Sequence, residues 1–120
     1  MAFEDTLARL LAAQQDAVGV LFLDSTGETV HLACAEISKY DLQVIGAYIG
    51  IYMRHLDKVM TLNHLGKTQL IHIEKRKVHI HVMMLPDGYC LALVQRHPGQ
   101  VARARARLRA AGAELVRELF

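Results

Sequence analysis

The run from Ile71 to Gln95 constrains this chain most. Three apolar-rich segments lie in or beside it, Thr68 to Glu74, Val78 to Leu85 and Tyr89 to Gln95. A charged Lys75-Arg76 corner separates the first two, and Pro86-Asp87-Gly88 separates the last two. Pro presets φ, Asp bonds its own backbone, and Gly accepts φ > 0, so the second gap is a turn. Parallel strands need crossovers of about a dozen residues or more, so strands joined this tightly are antiparallel. The run is read as a three-stranded meander.

Upstream, Phe3, Leu7, Leu10 and Leu11 repeat at i, i+4, i+7 and i+8, with Glu4 and Asp5 at the start. That is one face of an amphipathic helix, ending near Gln15, with acids at its positive end. Val18 to Leu23 is a continuous apolar run. Asp24-Ser25-Thr26-Gly27 is a turn signal, and Glu28 to Ala33 alternates weakly, which together predict a β-hairpin. A strand apolar on both sides requires both faces of its sheet to be covered.

Ser38-Lys39-Tyr40-Asp41 resembles a capping box with Asp in place of Glu or Gln. It predicts a helix from about Lys39 to Leu62. Leu42, Ile45, Ile49, Tyr52, Met53, Leu56, Val59 and Met60 form one broad stripe, which is expected to lie on the sheet. Val44, Ala47, Ile51 and Leu62 form a second ridge, with Tyr48 and His55 between the two. Gln43, Arg54, Asp57 and Thr61 share the remaining arc with Gly46 and Gly50. A helix apolar over most of its circumference is buried on more than one side. The rest of the chain has too few elements to cover the second ridge, so a second copy of the chain is the simplest cover. The Gly46–Gly50 spacing has two readings, glycines tolerated by chance or close approach of another backbone, and the second fits that helix–helix contact.

His97-Pro98-Gly99-Gln100 ends the meander, and Val101 to Phe120 reads as a closing helix. Its apolar face is expected to hold Val101, Ala104, Leu108, Gly112, Leu115 and Leu119, with Arg103, Arg107, Glu114 and Glu118 pointing away. The order predicts an α+β domain spanning residues 1–120. Five strands form one mainly antiparallel sheet, with the middle helix on one face and the terminal helices on the other. A chain of 120 residues suits one core.

Function is less legible. No window of about 18 uninterrupted apolar residues is present, so no membrane insertion is expected. The acidic start lacks the pattern of a secretory signal. Cys34 and Cys90, without CxxC spacing, read as buried reduced thiols in a cytoplasmic protein. A net charge of +2 does not argue for nucleic acid. Arg103, Arg105, Arg107 and Arg109 alternate by two, which spreads them around a helix as a solvated face.

Leu65-Gly66-Lys67-Thr68 has the ending of a phosphate-binding loop. The pattern requires Gly where Thr61 stands, and a helix after it where a strand is predicted. No nucleotide site is read there. His72, His79 and His81 are weak metal candidates. With Lys75-Arg76 as a two-residue loop, Glu74 opposes Lys77 and His72 opposes His79, while His81 shares their face opposite Leu70. Three imidazoles and a water suit zinc, but charged hairpin tips are usually solvated, and no cofactor is expected. No spacing supports a nucleophile–base pair, so the chain is not read as an enzyme.

In element order, and in two local stretches, the chain resembles the roadblock/dynein light chain domain family. Val18-Gly19-Val20-Leu21-Phe22-Leu23-Asp24-Ser25-Thr26-Gly27 is similar to the family's strand and acidic-Gly turn. Pro86-Asp87-Gly88-Tyr89-Cys90-Leu91-Ala92-Leu93-Val94 is similar to its turn and last strand. The resemblance implies a profilin-like, non-catalytic homodimer, paired through the middle helix and the meander's edge strand into one sheet. That places Val44, Ala47, Tyr48, Gly50, Ile51 and His55, with Gln69, Ile71 and Ile73, at the dimer interface. It also implies a partner: bacterial members modulate the nucleotide cycle of small Ras-like GTPases, and eukaryotic members are scaffolds. The histidine cluster departs from familiar members, and a ligand- or metal-binding domain using it is the alternative reading.

Overall fold

The structure, a computed structural model, describes residues 2–60, 64 and 66–120. Thr61, Leu62, Leu65 and the side chain of Met60, which the sequence reading used, lie outside the described residues. Helix α1 (Ala2–Ala13) leads into β1 (Ala17–Leu23) and β2 (Thr29–Cys34). Helix α2 (Lys39–Met60) precedes β3 (Leu70–Glu74), β4 (Val78–Met84) and β5 (Cys90–Arg96), and α3 (Val101–Leu119) follows. The sheet runs β2-β1-β5-β4-β3, with every neighbouring pair antiparallel. The chain is therefore α+β in the expected element order.

Every residue of β1 is buried, which is why its sequence shows no polar alternation. Val20 and Phe22 face α1 and α3, together with Leu91 and Leu93 of β5. Leu21 and Leu23 face α2, together with Ala92 and Val94. Burial of each large side chain contributes roughly 1.5–3 kcal/mol. The β1–β5 register slips between Ala17 and Gly19, so Val18 also turns towards the α2 side. Asp24 closes the first hairpin by accepting from the Thr26 hydroxyl (2.6 Å) and the Thr26 and Glu28 amides (2.9 and 3.0 Å). The Thr26 hydroxyl, with these amides, holds the Asp24 carboxyl below its usual value. At the start of α2, Ser38 Oγ accepts from the Asp41 amide at 3.0 Å, as the capping pattern predicts.

Helix α2 sits on the sheet through Leu42, Ile45, Ile49 and Met53 of the expected stripe, but the buried arc is turned towards Gly46 and Gly50 and excludes Tyr52 and Val59. Leu42, Gly46, Ile49, Gly50 and Met53 are buried, whereas Tyr52 and Val59 are 52% and 64% exposed. A Cβ on Gly46 would lie 3.1 Å from Leu23 Cδ2, and one on Gly50 would lie 2.8 Å from Gly27 Cα. The glycines therefore face the chain's own sheet and first turn, not a polar arc. Lacking side chains, they let the helix approach its own backbone closely.

The β3–β4 hairpin turns at Arg76-Lys77, not Lys75-Arg76: the Lys75 amide donates to the Val78 carbonyl at 2.8 Å. Glu74 consequently pairs with His79, His72 with His81 and Leu70 with Met83. Helix α3 buries Ala104, Leu108, Ala111, Gly112 and Leu115, but Leu119 is exposed. Arg107 and Glu114 do not simply point to solvent. Arg107 donates to the Ala13 carbonyl and to Gln14 Oε1 (2.8 Å), and Arg9 bonds Glu114 at 3.1 Å, tying α3 to α1 and the segment after it.

Candidate functional site

The surface of α2 that faces away from the sheet is apolar. Val44, Tyr48, Ile51, Tyr52, His55 and Val59 follow at i, i+4, i+7, i+8, i+11 and i+15, which is one helical face. All six are exposed, Val44 and Ile51 by 37% and 39%. The two ridges read from the sequence thus resolve into a buried face and an opposite exposed one, with Tyr52 and Val59 joining the second. Between α2 and β3 runs a groove of about 560 Å³ whose walls include Met53, His55, Val59, Ile71 and Ile73.

Strand β3 ends the sheet beside this groove. Antiparallel pairs alternate between bonded and non-bonded. Because Lys75 bonds Val78 and the Met84 amide bonds the Gln69 carbonyl, the amides of Ile71 and Ile73 point to β4. Those of Leu70, His72 and Glu74 point out of the sheet. The sheet edge and the apolar helix face therefore adjoin. Of the sequence-derived interface residues, the structure exposes Val44, Ala47, Tyr48, Ile51, His55 and Gln69 on this side and leaves Ile71 and Ile73 half-buried. Gly50 is buried against Gly27 of its own chain, so its close approach to a backbone is internal.

The histidines lie on the opposite face of the sheet, against α3. They are not solvated: His81 is fully buried, His79 is buried and His72 is half-buried. His72 and His81 stack with centroids 4.7 Å apart and planes 20° apart; His97 stacks on His79 at 4.5 Å. Imidazole lone pairs lie in the ring plane, so stacked rings do not converge on one ion. Among the described residues, no group of three His, Cys, Asp or Glu is placed to hold a metal. Arg105, expected on a solvated face, is half-buried beside them, with its Nη2 at 3.4 Å from His72 Nδ1.

Sequence reasoning missed the polar layer that continues from these rings. His81 Nε2 meets Gln95 Oε1 at 2.9 Å, Gln95 Nε2 donates to Asp16 Oδ2 at 2.9 Å, and Gln14 Nε2 donates to Asp16 Oδ1 at 2.7 Å. Burial works to raise the Asp16 value, but the bonds from Gln14, Gln95 and nearby amides outweigh it and hold the carboxyl low. A Cβ on Gly99 would stand 2.2 Å from Gln95 Nε2, so only glycine leaves room for this bond. Gln95 had ended an apolar strand pattern without a sign that it is buried. Cys90 is the buried thiol expected, its value pushed up to about 12 by burial and by Asp24, so it is no nucleophile. Cys34, expected to be buried, is exposed at the end of the outer strand β2.

No protein-family model and no curated protein sequence matches the chain. Solved structures do. The chain is similar to Myxococcus xanthus MglB at 14% identity, covering 98% of this chain and 94% of that one, with a TM-score of 0.86. It is similar to a structure described as MglB with tetrameric arrangement at 14% identity, covering 97% and 86%, with a TM-score of 0.86. A Roadblock/LC7 domain from Streptomyces avermitilis superposes with a TM-score of 0.81 at 12% identity, covering 97% and 96%. These likenesses show the fold: the chain has the roadblock fold.

Proposed function

We propose that the chain is a non-catalytic, cytoplasmic homodimer that binds a small Ras-like GTPase and modulates its nucleotide cycle. The observation that carries the reading is the apolar outer face of α2 adjoining the unpaired edge of β3. An apolar strand edge and an apolar helix face side by side are each a liability in a monomer, and one two-fold contact removes both. The interface uses Val44, Ala47, Tyr48, Ile51, His55, Gln69, Ile71 and Ile73, joined by Tyr52 and Val59. Gly50 acts behind it, by holding α2 against the first turn. The tetrameric arrangement named for one MglB structure supports self-association of this fold.

The GTPase partner follows from the family resemblance. A regulator of this kind needs a shaped surface and no nucleophile. Among the described residues no helix is long and apolar enough to cross a membrane. The stacked histidine rings do not favour the metal-binding alternative. The test is co-purification from the source cell, with binding of the captured GTPase measured in its GDP- and GTP-analogue states. Different affinities for the two states support the reading, because only differential affinity shifts such an equilibrium. Failure to recover any GTPase, or equal affinity for both states, overturns it.

A further inference from the structure

The hydrogen bonds around His72 and His81 fix where each ring carries its proton. Gln95 donates through Nε2 to Asp16, so it turns its carbonyl Oε1 to His81. His81 therefore carries hydrogen on Nε2, and its Nδ1 is a bare lone pair, buried and without a partner. A guanidinium has only donors, so His72 Nδ1 accepts from Arg105 Nη2. His72 then carries its hydrogen on Nε2, which faces His79 Nδ1 at 2.9 Å. In their neutral forms both rings are open to a second proton only at Nδ1.

Neither ring has a place for that proton. On His72 it would confront an arginine N–H. On His81 it would become a buried donor with no acceptor. With both added, two cations would stack at 4.7 Å. We propose that the His72–His81 stack, with Arg105 facing it, is a proton-sensitive latch that holds the β3–β4 hairpin on α3 while both rings are neutral.

The surrounding charges agree. Burial, then His79 and Arg105, hold His72 below the usual histidine value of 6.5, against the opposing pull of Glu74. Burial, then His72, Arg105 and His79, hold His81 below it, against the hydrogen bond that His81 donates to Gln95. Arg105 faces the pair from α3, Glu74 from β3 and His79 from β4. His97 stacks behind His79, and the Asp16 carboxylate is held off by Gln95. A base with a depressed folded-state value stabilises the fold above its unfolded value of 6.5 and loses that contribution as pH falls below it. The edge strand β3, paired on one side, is the element to yield. Ile71 and Ile73 flank His72 there, so acid also favours monomers; this consequence rests on the dimer reading.

The test combines imidazole titration by NMR with amide exchange at about pH 7.5 and about pH 5.5, corrected for intrinsic rates. His72 and His81 are expected to titrate below 6.5. The amides of Ile71 and Ile73, which bond β4 and not a second copy, should lose protection about tenfold more than those of β1. Arg105→Gln should raise both midpoints and reduce the acid loss, and His72→Gln should also reduce it. Midpoints at or above 6.5, retained Ile71 and Ile73 protection after the rings have titrated, or indifference to Arg105→Gln would each overturn the latch. Centrifugation separates the readings: a monomer at about pH 7.5 overturns the dimer, whereas a latch failure shows in the imidazole midpoints and in the exchange of Ile71 and Ile73, whatever the oligomeric state.

Discussion

Gly50 and Gly27 touch backbone to backbone: a Cβ on Gly50 would stand 2.8 Å from Gly27 Cα. Gly27 has φ +87 in a turn pinned by Asp24, so it cannot easily retreat. Arg54 adds a bond from the same helix to the Thr26 carbonyl at 2.8 Å. Gly50→Ala gains up to about 1 kcal/mol of helix propensity but overpacks a backbone contact at roughly 1–3 kcal/mol. It is expected to destabilise by about 1–2 kcal/mol in urea unfolding with an unchanged m-value. Gly46→Ala meets only the ends of Leu23 and Leu21 side chains, at 3.1 and 3.5 Å, and should lie within about 1 kcal/mol of wild type. Equal effects at the two positions would show that the turn is not a rigid wall.

That contact also marks how far the sequence could be read. The unbroken apolar run of β1 announced a sheet covered on both faces, and Ser38 and Gly27 punctuated the elements where the chain turns. Hydrophobic periodicity then misled, because it gives glycine no weight. Gly46 and Gly50 define the buried arc of α2 by having no side chain, and Tyr52 and Val59 were drawn onto the wrong face. The β3–β4 register slipped by two because Lys75, Arg76 and Lys77 offer no Gly, Asn or Asp to mark the loop. A slip of two preserves the face of every side chain, so the histidines remained together. Their burial was invisible, because it depends on Arg105 and Gln95, which meet them only through the fold.

Ile51 stands near the centre of the exposed face of α2. Full burial of such a side chain is worth roughly 1.5–3 kcal/mol, and Ile51 has part of that still to gain. Wild type is expected to be a dimer at micromolar concentration. Ile51→Asp places a charge against an apolar partner and should yield a monomer, or aggregate if the groove stays open. Light scattering that finds wild type monomeric removes the interface.

Pairing of β3 with its twin has a signature distinct from pairing with β4. The amides of Leu70, His72 and Glu74 point away from β4, and in an isolated chain they face solvent. In the dimer at least some are expected to exchange about tenfold or more slowly than in the Ile51→Asp monomer. Ile71→Pro, which deletes a bond to β4, should destabilise both forms. Identical exchange at Leu70, His72 and Glu74 in dimer and monomer would place the interface on α2 alone.

A GTPase bound to this chain is expected to be affected without a catalytic group donated from it. An arginine that stabilises phosphoryl transfer in trans is worth about 10³–10⁵ in rate and must be free to reach the nucleotide. Arg54 is spent on the Thr26 carbonyl. Arg96 holds both oxygens of Glu36, at 2.7 and 2.9 Å. Arg76 sits at the tip of the β3–β4 hairpin and Arg103 on exposed α3. Arg76 and Arg103 are left as the exposed arginines to test, and the regulator is expected to act by favouring one arrangement of the GTPase's switch segments, through differential affinity. Arg54→Ala, Arg76→Ala, Arg96→Ala and Arg103→Ala should each leave single-turnover GTP hydrolysis at saturating regulator near the wild-type rate, with modest losses of affinity. Ile51→Asp should abolish the effect, because it divides the binding platform. A thousand-fold loss, on the order of an arginine finger's contribution, from one arginine substitution with binding intact would mean that this chain enters the transition state after all.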